Sequence, residues 1–302
     1  MKTIKIGTRG SELALKQAEL VKQELKDFEC EIVIIQTKGD LVLDKPLHQI
    51  GDKGLFTAEL EEGLRQETID LAVHSLKDLP TKIAEDLPII AITKREEPWD
   101  CFVFADQFKH LKSYKDLPQN SLIGTSSLRR ILQLQSLRPD LGVLPLRGNI
   151  NTRLQKIQQS SQGLAAGILA VAGLRRLGLD KHISEVLAPP NYLPAPGQGA
   201  LAIQVNLKTF QNNKQFAEQL LKLNHQETYI TTVCERAALA AVDGGCQTPF
   251  AAYAEIINNK LKLQALIGNK EGSAVYRAEE VGEIINFREI GQGLGEKLKI
   301  AG

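Results

Sequence analysis

Cysteine, histidine and aromatic residues are scarce in this chain of 302 residues, and each scarcity excludes a class of protein. The four cysteines form no CxxC pair and are too few for a disulfide framework, so we expect a reducing, cytoplasmic location. The five histidines lack the spacing of metal ligands, so we expect no metal site. Aromatic residues make up 5% of the chain, which leaves few rings to stack on nucleic-acid bases.

Long apolar runs and an excess of charge of either sign are also missing. No segment approaches the roughly 18 apolar residues of a membrane-spanning helix, so we expect no membrane partner. The first ten residues, MKTIKIGTRG, alternate like a strand and lack an apolar core, so we expect no signal peptide. The net charge of +1 gives the molecule no strong attraction for polyanions, and we expect no nucleic-acid partner.

Glycine-bearing segments are present, but none has the spacing of a nucleotide site. APGQGALA at 195–202 precedes a strand and lacks the third glycine of the dinucleotide pattern. GQGLGEK at 291–297 has its glycines at the wrong spacing and falls where a helix is expected. Residues 189–205, PPNYLPAPGQGALAIQV, instead predict a hinge through which the chain crosses back to a first lobe.

Strands alternate with helices over the first two thirds of the chain, which predicts an α/β fold with helices on both sheet faces. We expect two lobes with mixed, mainly parallel sheets. Domain 1 comprises residues 1–95 and 197–215, and domain 2 comprises residues 99–190. The pattern then changes, which predicts a smaller α+β domain at 218–302. The run EIVIIQT at 31–37 predicts a strand buried on both faces.

Cationic residues recur where the strands of both lobes are predicted to end. Loops at the carboxyl ends of parallel strands line the binding crevice, and helix N-termini there attract anions. Ser11 and the run Thr125, Ser126 and Ser127 add hydroxyls at two such helix starts. Any one cation is as readily a solvated surface residue, but the set predicts a cleft for several carboxylates or phosphates. The cations are Arg9, Lys53, Lys77, Arg129, Arg130, Arg147, Arg153, Arg175 and Arg176.

Two single residues stand out from this cationic set. Asp78 follows the strand AVHSL beside Lys77, where it is either a turn former before Pro80 or a general acid/base. Cys246 stands in the loop AVDGGCQTPF, directly after two glycines. It is either a loop thiol without a role or an accessible attachment point, because a structural cysteine usually lies in an apolar run.

Eight ordered sequence blocks make the chain resemble the hydroxymethylbilane synthase family, whose members are also called porphobilinogen deaminases. The blocks are GTRGSELAL, GDKGLF, DLAVHSLKDLP, GTSSLRR, LRGNINTRL, LAVAGLRRLG, PGQGALAI and DGGCQTPF. The resemblance implies two lobes like those of periplasmic binding proteins and a third domain with the cysteine loop. It implies a dipyrromethane cofactor joined to Cys246 by a thioether. It also implies that a cytoplasmic monomer condenses four porphobilinogens head to tail, releasing ammonia, before water frees hydroxymethylbilane.

The resemblance also implies roles for particular residues. Asp78 would serve the chemical step, by accepting hydrogen bonds from pyrrole N–H groups and stabilising the cation that forms as ammonia leaves. Arg9, Arg147, Arg153 and Lys53 would lie nearest the reaction. The cofactor would be bound by Cys246, Lys77, Asp78, Ser127, Arg129, Arg130 and Arg147. The substrate would be bound by Arg9, Ser11, Lys53, Arg147, Arg153, Arg176 and Gln198.

Two positions depart from the family pattern, and two other functions remain open. Many relatives carry lysine where this chain has Gln49 and Ala58, so the electrostatic role of a lid at 41–55 is in doubt. One alternative is a two-lobed anion-binding protein without catalysis. The other is an enzyme with a cysteine nucleophile, such as an acyl transferase. Release of ammonia from porphobilinogen distinguishes the synthase from both.

Overall fold

The computed structural model describes residues 3–37, 39, 57–245, 248–269 and 274–301, so Gln49, Lys53 and Cys246 lie outside the described residues. Thirteen strands occur in the described part: β1 (Ile4–Thr8), β2 (Cys30–Ile34), β3 (Leu71–Ser75), β4 (Ile89–Ile92), β5 (Asp100–Phe104), β6 (Leu122–Gly124), β7 (Gly142–Leu144), β8 (Leu164–Ala170), β9 (Glu185–Leu187), β10 (Leu201–Gln204), β11 (Phe250–Ile257), β12 (Lys260–Gly268) and β13 (Val275–Glu283). The same residues form nine α-helices: α1 (Glu12–Glu24), α2 (Ala58–Arg65), α3 (Leu128–Leu137), α4 (Ile150–Gln158), α5 (Val171–Arg176), α6 (Leu207–Asn212), α7 (Lys214–Lys222), α8 (Gln226–Ala241) and α9 (Phe287–Ala301).

Two five-stranded sheets with the same plan form the two lobes. The first has the order β2-β1-β3-β10-β4, and the second has the order β7-β6-β8-β5-β9. In each sheet four strands share one direction, and one strand runs against them: β10 in the first and β5 in the second. Each reversed strand enters its sheet after the chain has crossed from the other lobe. The predicted α/β fold with two mixed, mainly parallel lobes is therefore confirmed.

The strand β2 differs from its prediction. The apolar run at 31–37 was expected to be buried on both faces, but β2 is the edge strand of its sheet. Its residues are only partly buried, and Ile34 is 59% exposed. The prediction was wrong because apolar periodicity reports side-chain chemistry and does not distinguish an edge strand from a central one.

Domain 3 is an antiparallel three-stranded sheet, β11-β12-β13, covered by the helices α8 and α9. Apolar residues from all five elements form one core, which includes Cys234, Leu263 and Leu294. This confirms the smaller α+β domain predicted at the end of the chain. No helix within the described ranges has both the length and the apolar character to cross a bilayer.

Two crossover segments, residues 93–99 and 188–200, connect the lobes, and they lie side by side. Glu96 N donates to Gly199 O (3.1 Å). Gly199 has φ +92°, and a Cβ on it would lie 2.3 Å from Glu96 O, so only glycine fits this close approach.

Glu235 on α8 joins domain 3 to the crossover segments. Its fully buried carboxylate accepts bonds from Arg95 Nη1 (2.6 Å), Gly197 N (2.7 Å) and Ala254 N (2.9 Å). A buried carboxylate with an arginine and two amide donors is fully paired, which offsets its desolvation. The helix that leads to the cysteine loop is thereby held against the crossover segments.

Candidate active site

A cavity of about 1230 Å³ lies where both lobes and domain 3 meet. The segments that follow β1 and β3 form its wall in the first lobe, and those that follow β6, β7 and β8 form its wall in the second. Domain 3 contributes Arg236, Leu239, Gly245, Thr248 and Phe250. Gly245 and Thr248 are the described residues on either side of the segment that contains Cys246, so both described ends of the cysteine loop border the cavity.

Helix N-termini face this cavity because each helix follows a strand end directly. Ser11 caps α1, where its Oγ accepts from Ala14 N (3.3 Å), and Asn149 caps α4, where its side chain accepts from Thr152 N (2.9 Å). Ser127 precedes α3 without a side-chain cap bond. Uncapped amide groups and the helix dipole favour anions at this wall.

Positive charge dominates the lining. Among the described lining residues, nine cationic side chains oppose two carboxylates, Glu12 and Asp78. On a protein of net charge +1 this concentration is local, and it favours a ligand with several negative groups. The nine cations are Arg9, Lys77, Arg129, Arg130, Arg147, Arg153, Lys156, Arg176 and Arg236.

A buried ion-pair centre underlies the second-lobe wall. Arg129 Nη1 and Arg130 Nη2 each lie 2.7 Å from a carboxylate oxygen of Asp100, which is fully buried. The guanidiniums also donate to backbone carbonyls, of Leu193 (2.9 Å) and Ile168 (2.7 Å) respectively. Burial disfavours the charge on Asp100, but the two arginines outweigh burial and hold its pKa well below the usual range. One carboxylate therefore orients two cations at the cavity wall.

Gln198 connects this centre to the first lobe. Its Nε2 donates to Asp100 Oδ1 (2.9 Å) and to Pro98 O (2.7 Å), and its Oε1 accepts from Lys77 Nζ (3.1 Å). Burial lowers the pKa of Lys77 to about 8; Asp78 raises it, and Arg130 lowers it further. The positive charge of Lys77 is therefore only partly balanced by the negative charge of Asp78.

Asp78 is the exposed carboxylate among these cations. It ends a 3-10 turn, Leu76–Asp78, that directly follows β3. Within the described residues its carboxylate makes no hydrogen bond or ion pair. It interacts with the charges of Lys77 and Arg153 through space. Burial lowers the pKa of Arg153 to about 10, and the charge of Arg130 acts in the same direction. A carboxyl group placed in this way among cations is suited to accept hydrogen bonds from donors that carry developing positive charge.

Family models match most of the chain. The model described as "Porphobilinogen deaminase, dipyromethane cofactor binding domain" matches residues 4–214, and "Porphobilinogen deaminase, C-terminal domain" matches residues 229–300. The chain belongs to the porphobilinogen deaminase family. This confirms the family that the eight sequence blocks indicated. It also confirms the expected transferase activity, hydroxymethylbilane synthesis in porphyrin and haem biosynthesis, and the dipyrromethane cofactor.

Porphobilinogen deaminases of three bacteria are similar over nearly the full chain. The Alkaliphilus metalliredigens protein is 43% identical over 99% of this chain and 92% of its own length. The Listeria monocytogenes protein is 44% identical over 97% and 93%. The Carboxydothermus hydrogenoformans protein is 43% identical over 100% and 95%. Among solved structures, a periplasmic sulfonate-binding protein from Methylobacillus flagellatus covers 77% of this chain and 68% of its own, with 13% identity and a TM-score of 0.43.

The cavity suits the cofactor of a porphobilinogen deaminase. Two pyrrole rings carry four carboxylates, and the cavity offers nine cations against two acids. The described ends of the cysteine loop, Gly245 and Thr248, lie on the wall to which the rings would be attached. Charge and placement therefore both fit a dipyrromethane.

Eleven of the thirteen residues predicted to act in the site line the cavity, and Lys53 and Cys246 lie outside the described residues. Their individual roles remain predictions. Gln198 lines the wall, but its amide group is already bonded to Lys77, Pro98 and Asp100, so a substrate contact would have to replace one of these bonds. Arg175 does not line the cavity; it pairs with Glu96, Glu97 and Asp180 as a surface residue.

Sequence reasoning missed four residues of this site. Lys156 and Arg236 line the cavity, Asp100 orients two of its arginines, and Glu235 joins α8 to the crossover segments. The one available signal was Asp100, an acid at the start of the otherwise apolar strand DCFVF. An ionised residue at a buried strand position requires a partner.

Proposed function

We propose that this cavity joins four porphobilinogen molecules head to tail on a dipyrromethane attached to Cys246, after which water releases the linear tetrapyrrole. The observation that carries the proposal is the surplus of cations around one unpaired carboxylate, Asp78. Each porphobilinogen adds an acetate and a propionate, so a chain of six rings has twelve carboxylates. The cations of the cavity wall would bind these carboxylates, although the protein as a whole is nearly neutral.

The cofactor is proposed to be held through its carboxylates. Lys77, Ser127, Arg129, Arg130 and Arg147 would bind them, because these side chains line the cavity. When bound, the dipyrromethane supplies the pyrrole carbon that forms the new carbon–carbon bond. Arginine is suited to this binding because its planar fork pairs with carboxylates and stays charged.

Asp78 is proposed to serve the reacting pyrrole. The carbon–nitrogen bond of the aminomethyl group breaks, ammonia leaves, and positive charge spreads onto the pyrrole nitrogen. Asp78 would accept a hydrogen bond from the pyrrole N–H and stabilise that charge, since its carboxylate is exposed at the cavity wall. Lys53, Arg9, Arg147 and Arg153 would lie nearest the reaction. The substrate carboxylates would be bound by Arg9, Ser11, Lys53, Arg147, Arg153, Arg176 and Gln198.

The assembly and location of the protein are also proposals. A monomer is proposed because the resemblance to the family implies one. Cytoplasmic location is supported by Cys30, Cys101 and Cys234, which are unpaired. The domain boundaries 1–95 with 197–215, 99–190 and 218–302 remain proposals, supported by the three separate sheets. Light scattering of the purified protein measures its molar mass, which should be that of one chain, 33.3 kDa.

Ammonia release tests the function itself. The purified protein, given porphobilinogen, should release four ammonia molecules for each hydroxymethylbilane formed. A non-catalytic anion-binding protein would release none, and neither would an acyl transferase. Absence of ammonia from protein that carries its cofactor would overturn the proposal.

The affinity of the cavity for polycarboxylates should fall as the pH rises through about 8. The reason is Lys77, whose pKa of about 8 means that it loses its charge in the free site as the pH rises through this value. A bound carboxylate stabilises the charged form and keeps Lys77 protonated to higher pH. Binding above pH 8 should therefore take up a proton and weaken several-fold per pH unit. Titration calorimetry of Cys246→Ser with benzene-1,2,4,5-tetracarboxylate at pH 7 and pH 9 measures this.

The control for this pH dependence is Lys77→Arg in the same background. Arginine keeps its charge over this range, so the loss of affinity between pH 7 and pH 9 should largely disappear. An equal loss of affinity in both proteins would show that Lys77 is not the group responsible.

A further inference from the structure

Arg236 makes an unusual set of contacts across the boundary between domain 3 and the first lobe. It lies on α8, and its Nη1 donates to Leu76 O (3.2 Å) and Leu79 O (3.1 Å). Its Nη2 donates to Pro80 O. One guanidinium therefore holds three carbonyls of a five-residue segment that contains Asp78.

The Leu76–Pro80 segment makes few other backbone hydrogen bonds. Leu79 N donates to Leu76 O (3.2 Å), which closes the turn, and Leu76 N donates to Ala200 O (3.0 Å). Carbonyls at the end of a helical turn have no partner within the turn and need one from outside. Pro80 follows, has no N–H, and cannot continue the turn. Arg236 supplies the missing donors, and as a charged donor it makes strong bonds.

The position of Asp78 depends on this turn. Its side chain is exposed to the cavity and makes no bond of its own to the described residues, so the backbone alone places it. A change in the turn would move the carboxylate directly. Misplacement of a catalytic group by about 1 Å costs up to about 10²-fold in rate.

The helix that carries Arg236 is itself fixed. The preceding residue, Glu235, is bonded to Arg95, Gly197 N and Ala254 N. Ten residues after Arg236 comes Cys246. The helix α8 thus links the turn of Asp78 to the segment that bears the attachment cysteine.

We infer that Arg236 is a positioning residue for the reaction: from domain 3 it holds the Leu76–Pro80 turn so that Asp78 meets the reacting pyrrole. The inference rests on the proposed role of Asp78. Arg236 acts through the backbone, so its loss should lower kcat and leave KM for porphobilinogen nearly unchanged.

The test compares cofactor-loaded Arg236→Gln and Arg236→Lys with the parent. Intact mass should show normal dipyrromethane loading in both. We expect Arg236→Gln to lower kcat by about 10- to 100-fold, with Arg236→Lys in between because one ammonium reaches fewer carbonyls. Hydrogen exchange at the Leu79 amide should accelerate, since its bond to Leu76 O closes the turn. If Arg236→Gln does not fold, Arg236→Lys is subjected to the same measurements.

Arg277→Gln is the matched control. Arg277 also lies in domain 3 and donates to two backbone carbonyls, Pro190 O and Asn191 O, both 3.2 Å away, but it does not line the cavity. Its loss should leave kcat and Leu79 exchange at the parental level. An equal fall of kcat in Arg277→Gln would mean that any loss of an arginine at the domain boundary suffices, and would overturn the inference.

A double-mutant cycle with Asp78→Asn decides whether Arg236 acts through Asp78. If it does, Arg236→Gln should lower the residual rate of Asp78→Asn little further, because both changes remove the same contribution. A full additional loss in the Asp78→Asn background, or an unchanged kcat in Arg236→Gln alone, would overturn the inference. Parental ammonia release by Asp78→Asn alone would instead refute the proposed role of Asp78, and the inference with it.

Discussion

Asp78→Asn is expected to lower the rate of ammonia release by about 10²-fold or more, while the protein still folds and holds its dipyrromethane. The substitution keeps the size of the side chain but removes its negative charge and its capacity to take a proton. Because the side chain of Asp78 is exposed, the folded state loses little by the change. The loss corresponds to about 2.7 kcal/mol of transition-state stabilisation. Single-turnover ammonia release by cofactor-loaded protein measures it.

Two further variants make this result specific. Asp78→Glu should retain more activity than Asp78→Asn, since its charge survives with altered geometry. Glu12→Gln removes the other carboxylate of the cavity, which bonds to Asn151, and should release ammonia at nearly the parental rate. Ammonia release at the parental rate by Asp78→Asn would mean that Asp78 is only a turn former.

Asp100→Asn should give the largest loss of stability among the site variants. The carboxylate is fully buried between two guanidiniums, and its neutral replacement leaves both charges without their counterion. Breaking a buried pair in this way costs about 3–5 kcal/mol. Arg129 and Arg130 also lose the group that orients them, so less of the purified protein should carry the cofactor. Urea unfolding and intact mass measure the two effects.

Asp86→Asn is the matched control for this loss. Asp86 pairs with Arg65 at 2.8 Å, but both side chains are exposed, at 57% and 40%. Pairs of this kind contribute about 0–1 kcal/mol, so the free energy of unfolding should change little. If the two variants lose the same stability, the centre around Asp100 is not the buried anchor described above.

The cleft was predictable from the sequence because its residues follow strand ends. Arg9, Lys77 and Arg147 each follow a predicted strand, and the carboxyl ends of parallel strands meet at one crevice. No contact between distant segments was needed to place them. The same local pattern placed Asp78 but left its role open, because a turn former and a catalytic acid look alike in sequence.

The links that hold the cleft together were not predictable, since they join segments far apart in the chain. Glu235 pairs with Arg95, 140 residues away, and Gln198 bonds to Asp100, 98 residues away. The exposed edge strand β2 was misjudged for a related reason, because its neighbours in the sheet decide its burial.

The intact mass of the purified protein tests the central claim most directly. The account predicts a mass above that of the sequence by one dipyrromethane joined through a thioether. Cys246→Ser should lose this addition, and Cys30→Ser, which alters a half-buried free thiol elsewhere, should keep it. A fully active protein whose mass equals that of its sequence would contradict the account.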